Sequence, residues 1–87
     1  MPKFRKKPVV IEAFKWDPHA SIADTPNWFF DACSERIAIP ELDGTVTIKT
    51  LEGNHRGGIG DYIIQGVKGE LYPCKHDIFD LTYEPAE

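Results

Sequence analysis

Three groups of residues in this chain have the types and the spacing to do chemistry. The first is residues 53–60, GNHRGGIG. Glycines let backbone N–H groups converge on an anion, and a guanidinium such as that of Arg56 matches a phosphate edge. His55 beside it could stack on a base or donate a hydrogen bond. The stretch from Glu52 to Gly60 reads as a loop, so it either grips a phosphate or is a plain flexible hairpin connection. It is not a Walker or dinucleotide fingerprint, because no helix start follows. The second group is Lys68, Tyr72, Lys75 and His76. Cations beside an aromatic ring can read a nucleotide or an acidic protein surface; the plainer alternative is snorkelling lysines around a core-edge tyrosine. The third is Cys74 with His76, two apart and so on one face of a strand. There the plainer reading is a core cysteine followed by a turn residue, since neither feature alone activates a thiol.

Little else points to catalysis. The serines, Ser21 and Ser34, lie in no nucleophile motif. The histidines, His19, His55 and His76, are scattered without metal-ligand spacing. Asp61 directly follows Gly60 at the start of a strand pattern, where an aspartate commonly bonds to nearby backbone N–H groups and fixes a turn. The expectation is a protein that is not an enzyme and carries neither metal nor cofactor.

With 87 residues the chain can build one thin core, and 11% aromatic residues bury much area in it. Residues 1–87 are therefore read as a single small domain. A formal net charge of −4 gives weak steering towards nucleic acid. Locally the N-terminal segment is basic, with Lys3, Arg5, Lys6 and Lys7, while acidic residues are spread through the middle and the tail. Nothing reads as a charged-then-apolar leader or a membrane-length run, so Cys33 and Cys74 are expected to be reduced thiols packed as small apolar groups in a cytosolic protein.

These residues need elements to position them. Residues 9–16 read as a strand with apolar groups on both faces: Val9, Ile11 and Ala13 on one, Val10, Phe14 and Trp16 on the other. That suits a central strand or one covered by a second chain, so the protein is expected to self-associate. After a loop, Thr25-Pro26 announces a helix over about residues 26–36, with Thr25 as N-cap. Three successive rings, Trp28, Phe29 and Phe30, cannot all hide on one side of it. Residues 45–51 alternate as a half-buried strand, residues 61–65 form another, and residues 66–69 turn into residues 70–72. A short turn near His76-Asp77 then leads to an extended tail over residues 81–84. The fold class is α+β: a small, mostly antiparallel sheet or partly open barrel of four to five strands with one α-helix.

Two stretches resemble a widespread family of small phage and prophage proteins: RKKPVVIEAFKW at residues 5–16, and GDYIIQGVKGELYPCKHDIF at residues 60–79 followed by TYE at residues 82–84. The helix carrying Asn27-Trp28-Phe29 also fits. Family members usually have proline where this chain has Ile59 and His76, departures that could loosen two turns. The resemblance implies a phage accessory role in the host cytosol and names no chemistry. Two readings follow. In one, the protein sequesters a small anionic, nucleotide-type immune signal as a counter-defence, with Arg56, His55, Lys68, Tyr72 and Lys75 as ligand contacts and sites between subunits. In the other, it is a protein-binding module that inhibits a host enzyme or regulates a phage complex.

Overall fold

A computed structural model describes residues 2–5 and 8–86. Lys6 and Lys7 of the basic lead-in lie outside the described residues. The elements run β1 (Glu12–Lys15), a 3₁₀ turn (Ile22–Asp24), α1 (Asn27–Ser34), β2 (Ala38–Pro40), β3 (Val46–Thr50), β4 (Gly53–Gly57), β5 (Tyr62–Gln65), β6 (Leu71–Cys74) and α2 (His76–Thr82). The fold is α+β, as the patterning predicts, but it has six short strands and a second helix. The strands form two three-stranded antiparallel sheets, ordered β1-β5-β6 and β2-β3-β4, rather than one sheet or a barrel.

Alternation decides what each strand buries. Val46 and Ile48 are fully buried, while Thr47 between them is half-buried and Lys49 beyond them is exposed. In the first sheet Phe14, Trp16, Ile63 and Leu71 lie on one face, and with Val46, Ile48 and Ala38 of the second sheet and Phe29 and Ala32 of α1 they form the core. Ala13, Tyr62, Ile64 and Tyr72 alternate onto the opposite face. The sheets approach closely where β4 ends: a Cβ on Gly57 would stand 3.3 Å from Pro73 and 3.4 Å from Ile63. Any larger residue there would push them apart.

The helix α1 begins one residue later than its sequence signals imply. Pro26, extended at φ −69°, is the cap, while Thr25 closes the preceding 3₁₀ turn and donates its hydroxyl to the Ser21 carbonyl. Phe29 is buried, Trp28 half-buried and Phe30 exposed, so one ring of the three does face solvent. The helix stops because Arg36 adopts φ 62°, and the Ile37 N–H donates back to the Ala32 carbonyl at 2.9 Å. That position favours glycine. Arg36→Gly is expected to raise stability by about 0.5–1 kcal/mol, since a left-handed residue with a Cβ is strained by roughly that amount. Urea unfolding of the pair checks it.

Three further expectations are corrected. Residues 9–16 form a strand only over β1, which is an edge strand and not a central one. Residues 52–60 are not one loop: Gly53–Gly57 form β4, between a two-residue turn at Leu51 and Glu52 and a second turn at residues 58–60. The tail is helical through Thr82, because Phe79 finds a flat partner in Tyr62, at 3.9 Å between centroids and 8° between planes.

Candidate functional site

The most organised polar group is Asp61, whose side chain is almost wholly buried. The chain folds tightly here: Trp16 N–H donates to the Asp61 carbonyl, Gly60 N–H to the Trp16 carbonyl and Asp61 N–H to the Gly58 carbonyl. The Asp61 Oδ2 accepts from Gly58 N–H at 2.9 Å and from Lys75 Nζ at 3.3 Å, and His76 Nδ1 lies 3.9 Å from Oδ1. Burial raises this carboxyl, but the Gly58 N–H, the Lys75 ammonium and the His76 N–H outweigh it and hold the group below the usual carboxylate range. Asp61 is thus the turn-fixing residue its position after Gly60 implies. It also ties the start of α2 to the first sheet.

The structure holds Cys74 near this carboxylate, and there burial first, then the charges of Asp61 and Asp77, push its thiol up. A neutral thiol of that kind is a poor nucleophile. Cys33 is likewise raised by burial, and packs against the core. Both cysteines are free. Among the described residues no three His, Cys, Asp or Glu side chains come together around a possible metal ion.

The five expected ligand contacts are not brought to one place. Arg56 and His55 lie on the exposed edge strand β4, where successive side chains point to opposite faces. The backbone of β4 is in register with β3, Thr47 facing Arg56 and Ile48 facing His55, so it forms no nest of convergent N–H groups. Arg56 stands 4.0 Å from Asp43, with both side chains about 60% exposed (62% and 59%), a contact of little energetic weight. Lys68 is in the β5–β6 turn, where its N–H donates to Glu70. Lys75 is committed to Asp61. Tyr72 is on β6, its phenol pushed up to about 12 by burial first and by the neighbouring Tyr83 hydroxyl, so it stays neutral.

The concave feature lies elsewhere. A groove of about 690 Å³ runs between residues 8–11, with Ala13, and residues 79–86, and Tyr62, Phe79 and Tyr83 line it. Phe79 stacks on Tyr62, and Tyr83 stacks on Phe79 at 4.9 Å and 26°. The charged groups on it are acidic, Asp80 and Glu84. Its volume falls within the range of ligand-binding clefts, roughly 300–1,000 Å³. The i, i+4 pair Phe79 and Tyr83 was the available sequence signal for this wall.

No family model, curated protein or solved structure matches this chain. Its class rests on its own fold: among the described residues, two small antiparallel sheets and two short helices. Among the described residues no helix is long and apolar enough to cross a membrane.

Proposed function

We propose that this chain is a non-enzymatic phage accessory protein that works in the host cytosol by binding another protein, so inhibiting a host enzyme or regulating a phage complex. The observation that carries the reading is the groove. Its aromatic wall and exposed Val9 and Val10 offer apolar anchoring area, and Asp80 and Glu84 offer an acidic border to a basic partner. A phosphate-bearing ligand would meet that same acidic border unfavourably, and the cations meant to receive it are dispersed over separate surfaces. The phage assignment rests on the two resembling stretches.

The nucleotide-sequestration reading keeps one observation, the exposed Arg56 guanidinium held only by a 4.0 Å contact. One set of variants separates the two. Exchanging Asp80 and Glu84 for arginine, both exposed, is expected to abolish capture of the partner from infected-host lysate, identified by mass spectrometry and re-tested with the purified protein. Arg56→Ala is expected to retain capture and to melt within about 0.5 kcal/mol of wild type. If calorimetry instead finds a cyclic dinucleotide or ADP-ribose derivative that wild type binds and Arg56→Ala does not, protein binding gives way to sequestration.

A further inference from the structure

The sequence of residues 9–16 is strand-forming throughout, yet only Glu12–Lys15 are paired. The ladder stops at Glu12 opposite Gln65 because the next residue of β5, Gly66, already turns back and donates to the Glu70 carbonyl at 2.8 Å. No part of the described chain therefore lies where Ile11, Val10 and Val9 would pair. Among the described residues these three make no backbone hydrogen bond, and Val9 and Val10 are 50% and 76% exposed.

We propose that this open edge pairs antiparallel with the same segment of a second copy, about a two-fold axis at Val10. Self-association belongs to the sequence expectations; the edge and the register are new, and they hold whether or not a foreign protein binds.

Backbone direction selects the residues. Trp16 both donates to Asp61 and accepts from Gly60, so by antiparallel alternation Phe14 and Glu12 turn their groups towards β5. Ala13, and by continuation Ile11 and Val9, turn theirs outward. An axis at Val10 sets Ile11 of one copy against Val9 of the other as hydrogen-bonded pairs, with Val10 facing Val10 as a closer non-hydrogen-bonded pair. Every side-chain pair at the centre is then apolar and β-branched. Moving the axis to Ile11 would face Val10 with Glu12, and moving it to Val9 would face Val10 with Pro8. With the axis at Val10, Pro8 falls opposite Glu12 at a non-hydrogen-bonded position, where its missing N–H costs nothing.

Charge complementarity points to the same occupant. Residues 1–10 carry four Lys or Arg and no acid, whereas residues 77–87 carry four Asp or Glu and no Lys or Arg. Antiparallel pairing runs the basic lead-in of one copy along β1 of the other towards its Lys15 end. Lys15 faces Tyr62, on which Phe79 stacks with Asp80 beside it. The basic lead-in of the partner copy thereby comes to the side of the sheet that carries the acidic Asp80, with Arg5 opposite Lys15 as the like-charge pair of this register.

Sedimentation of the full chain at high micromolar concentration tests this. Wild type is expected as a dimer and Val9→Pro as a monomer with an unchanged melting temperature, because Val9 N–H bonds the partner copy in this register and has no partner among the described residues. Val10→Cys is expected to form a disulfide-linked dimer on mild oxidation, since non-hydrogen-bonded partners stand about 4.5 Å apart at Cα, within disulfide reach. Val9→Cys, facing Ile11, and wild type, with Cys33 and Cys74 as its thiols, are expected not to cross-link. A monomeric wild type, or a dimer that Val9→Pro leaves intact, overturns the interface. Dissociation by Val9→Pro without cross-linking of Val10→Cys overturns the register. Lysate capture by a monomeric chain would leave the proposed function standing while this inference fell.

Discussion

Trp16→Ala is expected to leave the protein only marginally folded at room temperature. Trp16 is only 6% exposed, packs its ring 5.4 Å from that of Phe29, and donates its indole N–H to the Gly44 carbonyl at 2.9 Å. That bond joins the end of β1 to the β2–β3 turn, so one side chain links both sheets and α1. Truncating a buried tryptophan costs about 3–5 kcal/mol, most of what a small domain possesses at the lower end of the usual 5–15 kcal/mol range. Trp16→Phe keeps a ring but loses the bond to Gly44, and an intermediate loss near 1–2 kcal/mol is expected. Urea unfolding followed by the fluorescence of Trp28 measures both. Wild-type-like midpoints for Trp16→Ala would refute its role as the tie between the sheets.

Asp61→Ala is expected to be the second most damaging change. It strips the half-buried Gly58 N–H and the exposed Lys75 ammonium of their acceptor; Lys75 regains water, so the cost is set by the unpaired N–H, about 1–3 kcal/mol. Asp61→Asn retains an acceptor oxygen and should lose less, but it removes the charge and with it the acid sensitivity. The folded carboxyl titrates below its unfolded value near 3.9. Its contribution is therefore complete above about pH 4 and is lost as the pH falls through the folded value. Wild type is expected to melt progressively lower in that window, while Asp61→Asn responds much less. A small response remains in the variant, because Asp43 is also depressed, chiefly by its bonds to the Thr45 hydroxyl and N–H. Parallel slopes for the two proteins below pH 4 would show that Asp61 is not the group responsible.

Much of the local structure was legible in the residues. The alternation of Val46 and Ile48 read directly as a half-buried strand, because side-chain period is a property of the strand itself. Gly60-Asp61 read as a fixed turn for an equally local reason: a short carboxylate reaches the backbone N–H three residues away. The helix at Trp28 and Phe29 was visible for the same kind of reason. Two elements escaped. Residues 53–57 carry glycines, asparagine and charges, all poor strand formers, and become β4 because β3 supplies a ladder through a two-residue turn. Residues 76–82 lack a strong cap and are short for a helix, yet hold together by docking Phe79 on Tyr62.

By itself, then, the sequence determined the α+β class, the buried face of β3, the turn at Asp61 and the residue types on offer for binding. All of these depend on interactions within a few residues, where spacing and chemistry suffice. Only the tertiary structure decided that β1 is an edge, that Arg56 and Lys75 stand apart, and that α2 builds an aromatic wall beside the N-terminal arm. Those outcomes depend on which strand pairs with which and on where a helix finds a flat surface. Such choices are settled by contacts between residues distant along the chain, and single residues carry no local mark of them.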